Sequence, residues 1–168
     1  ILPVHLYGHP SNMNEIMEIA DRYDVRVLED ACQAHGAVYN GKPVGSIGDT
    51  AAFSFYPSKN MTVCGDGGMI TTNDEEYSET IRSLRDGGRV KGQAYLHGSI
   101  GYTARLNTIN AAIGRVQLGA LEQWNVKRRR LAKRYHESLL DVGDIVLPPK
   151  QSPDVKPVWH LYVIRTKK

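Results

Sequence analysis

Cysteine is nearly absent. The 168 residues contain two, Cys32 and Cys64, and their spacing fits neither a disulfide framework nor a zinc site. No His/Glu arrangement has metal-ligand spacing, so no metal is expected. The sequence also lacks a long apolar run and a signal peptide, which argues against a membrane span and makes the cytoplasm the expected setting. Charge of one sign is missing too. The net value is +3, too small at this length to point to nucleic acid or a membrane surface. The densest basic run, Lys127-Arg128-Arg129-Arg130, falls in a helix-like stretch without an aromatic platform, and reads as a solvated face. An initiator methionine is lacking as well: the chain opens inside the apolar run Ile1-Leu2-Pro3-Val4 and closes just after the strand-like His160 to Arg165. Both ends are expected to be interior points of a longer chain.

What is present suits a globular α/β unit. Hydrophobic residues make up 41% and charged ones 23%, enough apolar material for one modest core. Ile1 to Tyr7 reads as a buried strand closed by the turn Gly8-His9-Pro10. A helix follows, with Asn12 as its cap, Glu15 at the capping-box position, and Met13, Ile16, Met17 and Ala20 on one face. Val25 to Leu28 reads as the next strand, which makes a parallel strand–helix–strand crossover. Further strands are expected at 50–56 and 68–72, then a helix capped by Asp74 that runs to Gly87-Gly88. Alternating elements imply an α/β domain with a largely parallel sheet. Beyond residue 105, two consecutive helices are expected, 107–118 and 121–140. A connector around Pro148-Pro149 leads to a fresh strand at Trp159. A domain change is placed between 120 and 145.

Four features carry chemistry: Glu29-Asp30 at a strand end, Gln33 and His35 just beyond, Phe53-Ser54-Phe55-Tyr56-Pro57-Ser58-Lys59, and Gly65-Asp66-Gly67-Gly68. Ligands of open α/β sheets sit beyond the carboxyl ends of strands, where Asp30 and Ser54 are both expected. Each residue has a plainer reading. A strand-terminal Asp tightens turns, a loop lysine is ordinarily solvated, and His35 reads as a hydrogen-bonded, partly buried histidine. Neither glycine cluster forms a dinucleotide fingerprint. Phe-Ser-Phe lacks the glycines of a hydrolase elbow.

Taken in order, these segments resemble the DegT/DnrJ/EryC1/StrS aminotransferases. Val4-His5-Leu6-Tyr7-Gly8, Glu29 through Gly36, Gly48-Asp49, Phe53 through Asn60, Gly65 through Gly68, Gly101 through Leu106 and Ala111-Ala112-Ile113-Gly114 carry the likeness over the whole chain. The resemblance implies the large domain of a fold-type I pyridoxal-phosphate enzyme over residues 1–120. It implies a connecting helix and the start of a small C-terminal α/β domain over 121–168, with further family segments on both sides. It implies pyridoxal 5'-phosphate as cofactor, a homodimer, and transfer of an amino group from glutamate or glutamine to a nucleotide-linked keto sugar in surface-polysaccharide or natural-product synthesis. By the same resemblance, Lys59 matches the lysine that forms the Schiff base, and Asp30 the carboxylate on the pyridine nitrogen. Gln33 matches a residue beside the ring, and Ser54 a hydroxyl on the phosphate. Thr103 stands where the family commonly has an asparagine reaching the neighbouring subunit's cofactor.

The chemistry agrees with these matches. Transamination removes a proton next to an imine carbon, so a carboxylate must keep the ring nitrogen protonated and a neutral amine must shuttle the proton. Lysine at 59 favours amino transfer over the related dehydratases, in which the position resembles histidine. Other readings are a cyclitol aminotransferase or aminohydroxybenzoate synthase of the same family, a non-catalytic paralogue used for dimerisation or regulation, and a binding domain for another phosphorylated ligand. Retention of Asp30, Gln33, Ser54 and Lys59 together disfavours the scaffold reading. The segments outside the chain are expected to be needed for cofactor binding, so the chain by itself is expected to be inactive.

Overall fold

A computed structural model describes residues 1–167. Its centre is a three-stranded sheet of β1 (Leu28–Asp30), β4 (Thr50–Ser54) and β5 (Gly68–Thr72), in the order β1-β4-β5. β1 and β4 run parallel with Asp30 opposite Ala52, while β5 returns antiparallel to β4. Beyond β1, the opening segment adds a further parallel line of hydrogen bonds: Leu28 N–H to Ile1 O, Asp30 N–H to Pro3 O and His5 N–H to Asp30 O. Parallel pairing therefore predominates on the Asp30 side of the sheet, and the long 55–67 connection lies between its two antiparallel strands.

The opening segment departs from the buried strand expected there. Ile1, Leu2, Val4 and Leu6 are exposed, and Leu6–Gly8 forms one 3-10 turn. Its inner side alone faces protein, so Pro3 and His5 are buried between exposed neighbours. α1 (Met13–Tyr23) starts where its apolar spacing places it, with Met13 and Ala20 buried and Ile16 and Met17 packed behind them. Asn12 does not cap it. Its side-chain oxygen accepts instead from the Tyr39 hydroxyl at 2.6 Å. The next strand begins at Leu28 rather than Val25, because Val27 N–H donates to the Asp49 carboxylate and not to a neighbouring strand.

Residues 38–43 hold an unexpected small hairpin, β2 (Val38–Tyr39) and β3 (Lys42–Pro43). Asn40 and Gly41 turn it with φ of 47° and 76°, the two left-handed positions of a tight hairpin turn. α2 (Glu75–Leu84) is capped by Asp74, which accepts from Tyr77 N–H. The two helices expected after residue 105 are one, α3 (Thr108–Leu139), capped by Asn107. Neither Gly114 nor Gly119 interrupts it. At Gly114 the missing side chain admits Val63 and Met61, since a Cβ there would lie 3.1 Å from Val63 Cγ1.

Short pairings complete the chain: β6 (Ile145–Val146) with β8 (Arg165–Thr166), and β7 (Val155–Lys156) with β2. The strand expected from Trp159 is absent. Trp159 turns with φ of 49°, and the neighbouring backbone bonds to the 3-10 turn, Val158 N–H to Gly8 O and His160 N–H to Tyr7 O. Val158 is fully buried with Ala31, Ala34, Ala37 and Val44. Phe55, Met61, Val63 and Leu121 form a second cluster, which clamps the 55–67 loop onto α3.

Candidate functional site

Side chains alternate along a strand, and on β1 that separates two adjacent carboxylates. Glu29 is fully buried. It accepts from Gly45 N–H at 2.8 Å, Ile47 N–H at 2.8 Å and Gly48 N–H at 2.7 Å. It also accepts from His5 Nε2 at 3.1 Å. Ser11 N–H donates to His5 Nδ1, which leaves the His5 proton on Nε2. Burial opposes ionisation of Glu29, but the His5 bond and the backbone donors of Gly48, Gly45 and Ile47 outweigh it and hold the carboxyl below its usual range. Asp30 is only half-buried, and among the described residues Cys32 N–H at 3.0 Å is the one backbone donor to its carboxylate.

The parallel register brings Ser54 to the same carboxyl-terminal edge, two residues past the Asp30 partner Ala52. Its hydroxyl oxygen accepts from Tyr56 N–H at 3.3 Å, which leaves its own proton available. Lys59 follows in the 55–67 loop, where its N–H closes a turn on Tyr56 O. The Lys59 side chain is half-buried and forms no salt bridge among the described residues. Its charge reaches Cys32, His35 and His160, opposing the rise of the thiol pKa and adding to the depression of both imidazoles. Gln33 is held at the same edge: its Oε1 accepts from Tyr7 N–H at 2.6 Å, which leaves its amide protons free. That bond depends on the left-handed turn at Tyr7, with φ of 59°, followed by Gly8. A Cβ on Gly8 would approach Gln33 O and Val158 Cγ2 to 2.8 Å.

His35 differs from the hydrogen-bonded, partly buried residue expected. It is 3% exposed and packed against Phe53 and Phe55, and among the described residues neither ring nitrogen has a partner. Burial pushes its pKa down to about 4; the Ser54 backbone carbonyl acts against this without reaching hydrogen-bonding geometry. Burial, and then the Asp30 carboxylate, push the Cys32 thiol up to about 11, so it is no nucleophile.

Two asparagines escaped the sequence reading. Asn60 is 6% exposed and Asn125 fully buried. Asn125 Nδ2 donates to His35 O at 2.8 Å, and Asn60 Nδ2 to Asn125 Oδ1 at 3.2 Å and Val158 O at 3.0 Å. Asn60 Oδ1 meets His160 Nδ1 at 3.3 Å. These bonds join the loop carrying Lys59 to α3, the 31–37 turn and the 157–160 segment. The one sequence signal was a lone amide between Trp124 and Val126 in a helix.

Thr103 is not brought to this edge by any described contact. It lies exposed on the 85–107 loop, bridged through its backbone to Asp86. Among the described residues, no group of His, Cys, Asp and Glu could hold a metal, and no helix is long and apolar enough to cross a membrane. Two surface clefts, about 490 and 1190 Å³, lie elsewhere, one beside Arg26 and Tyr77 and the other between α2 and the 89–99 loop.

Comparison with known proteins follows this geometry. A sequence model of the DegT/DnrJ/EryC1/StrS aminotransferase family matches residues 1–168. The dTDP-3-amino-3,4,6-trideoxy-alpha-D-glucose transaminase of Streptomyces venezuelae is 45% identical over 168 residues, covering 100% of this chain and 44% of that protein. The crystal structure of S. venezuelae DesV superposes with a TM-score of 0.93 at 46% identity, over 99% of this chain and 44% of that one. The ntda structure from Bacillus subtilis, which holds bound PMP, gives 0.83 at 37% identity, over 99% and 38%. The chain thus spans less than half the length of the relatives it matches.

Proposed function

Because the chain belongs to the DegT/DnrJ/EryC1/StrS aminotransferase family, we propose that its protein is a pyridoxal-phosphate-dependent aminotransferase that moves an amino group from glutamate or glutamine to a nucleotide-linked keto sugar. One observation carries this reading. The edge formed by β1, β4 and the 55–67 loop gathers a carboxylate with a single backbone donor, and an amine, a hydroxyl proton and amide protons that the described residues leave uncommitted. That donor set fits the ring nitrogen, aldehyde, phosphate and phenolic oxygen of the cofactor.

When bound, pyridoxal phosphate supplies a carbonyl that captures amines and a ring that absorbs the electron pair left by proton removal. Asp30 would hold the ring nitrogen and keep its proton there. Lys59 would hold the cofactor through its amine, which would also take up and return the proton at the reacting carbon. Ser54 would donate to the phosphate, and Gln33, pinned by Tyr7 N–H, would offer its amide protons to the phenolic oxygen. Phe55 and His35, buried against one another, keep water from their side of the 55–67 loop's start.

The wider reading is a homodimer in the cytoplasm that serves surface-polysaccharide or natural-product synthesis. Tyr95, Ile100 and Tyr102 on the loop, with Ile109 and Val116 seven residues apart on α3, are 71–96% exposed, apolar side chains of the kind an interface covers. Thr103 lies among them, and in this reading it reaches the partner's cofactor phosphate rather than its own. Residues 1–120 belong to the large domain, and 121–168 to the connecting helix and the start of the small one.

The test uses the full-length protein. Pyridoxal phosphate is added, the mixture is reduced with borohydride and the peptides are mapped by mass. An adduct on Lys59 is expected; one elsewhere, or none, defeats the mechanism. A panel of keto sugar nucleotides with glutamate as donor then tests the substrate, and turnover of a cyclitol alone would move the protein to that branch of the family.

A further inference from the structure

The buried amides beside Lys59 do more than join loops, because their orientations are forced in sequence. Asn125 presents one amide atom to His35 O at 2.8 Å. A carbonyl accepts only from a donor, so that atom is the nitrogen and its neighbour the oxygen. Asn60 must therefore turn its nitrogen toward Asn125, and the same nitrogen faces the Val158 carbonyl at 3.0 Å. The Asn60 oxygen is then the atom left facing His160 Nδ1 at 3.3 Å. An oxygen opposite Nδ1 requires a proton on that nitrogen.

We infer that Asn125 and Asn60 form a relay that fixes neutral His160 as its Nδ1–H tautomer and leaves Nε2, on a residue tied directly to the neighbour of Lys59, as a lone-pair acceptor. Nε2 has no hydrogen-bond partner among the described residues, and the ring is half-buried. The backbone of His160 is held separately, by Tyr7 O on its N–H and by Arg128 on its carbonyl. Burial, with the charges of Lys59 and Arg128 nearby, favours the neutral ring. An acceptor of this kind welcomes a hydrogen-bond donor, such as the Lys59 ammonium or a donor on a bound ligand, and turns a carboxylate away. Asn60 and Asn125 are positioning residues in this scheme. Their place in catalysis rests on the proposed role of Lys59, whereas the tautomer does not.

The full-length protein, labelled with 15N at histidine, is studied by long-range proton–nitrogen correlation, and the His160 signals are identified by their loss in His160→Gln. The expected wild-type pattern is a protonated Nδ1 and an unprotonated Nε2. A proton on Nε2, or an even mixture, overturns the relay without any need for a variant to fold. Asn60→Ala, which removes the oxygen facing Nδ1, is expected to turn the single tautomer into a mixture; a folded variant that keeps the single pattern also overturns it. The borohydride map is independent. An adduct on Lys59 with His160 protonated at Nε2 sinks the relay alone, while the expected tautomer without an adduct at Lys59 sinks the aminotransferase reading alone.

Discussion

Glu29 and Asp30 are consecutive, yet the regions on either side of β1 treat them in opposite ways. Behind the strand, Glu29 is closed in by three backbone donors and His5, with none of its surface exposed. In front, the Asp30 carboxylate keeps one backbone donor and an open side, at the edge whose following loop carries Lys59. Position in the sheet decides between them, since both are strand-end acids. A satisfied buried carboxylate ties loops together, and an unsatisfied one at the carboxyl edge is free to meet a ligand. Substitutions in front should therefore cost rate and leave stability alone, and those behind should do the reverse.

The largest effect is expected in front. Lys59→Ala or Asp30→Ala in the full-length protein should lower the amine-transfer rate by several orders of magnitude, as for groups that act as a unit, while the urea midpoint stays within error. A rate within tenfold of the parent would break the comparison. Behind the strand, Glu29→Leu strips four donors of their acceptor and should lower unfolding free energy by about 3–5 kcal/mol, read by urea titration. A loss under about 1 kcal/mol would show that His5 and the 45–48 loop hold without it.

His35 sharpens the contrast, because it sits in front but is as enclosed as Glu29. Its folded pKa is about 4 against an ordinary 6.5, so between those values the unfolded chain binds a proton that the folded one refuses. Stability should fall as pH drops through that window, by roughly 3 kcal/mol at most. His35→Leu should flatten the dependence there while sparing the steeper loss at lower pH. Glu29 shares in that lower loss with Asp49 and the other depressed carboxyls, since each stabilises the fold above its unfolded pKa and ceases to as pH falls through the folded value. An unchanged profile between pH 4 and 6.5 would remove His35 from the account. The smallest effect is expected at Asn12→Ala, which loses the Tyr39 hydroxyl bond. It should cost about 1 kcal/mol of stability and no activity.

Local signals carried much of this architecture in the sequence. Asp74 and the glycines after α2 mark that helix, 68–72 was read to the residue, and the strand-end placement of Asp30 and Ser54 brought the candidate edge into view. The departures arise where distant partners decide. Asn12 has a capping residue's chemistry, but a hydroxyl 27 positions away claims it. Ile1 to Tyr7 is apolar enough for a buried strand and lies at the margin of the described sheet. Val158 and His160 are drawn to Gly8 and Tyr7, so the strand expected from Trp159 never forms. The asparagine bridge spans 65 positions between Asn60 and Asn125, a separation that no periodicity reports.

The Glu29 anchor has a consequence for how this protein can change over generations. Three of its four donors are backbone N–H groups, which every residue but proline supplies, so most codon changes at 47 leave that chemistry untouched. Position 45 is narrower for a different reason: its φ of 89° and a Cβ that would lie 2.4 Å from Phe53 Cζ both demand glycine there. The acid itself has no such redundancy. Inherited damage to the anchor should thus concentrate at codon 29, at new prolines in the 45–48 turn, and at any side chain added at 45.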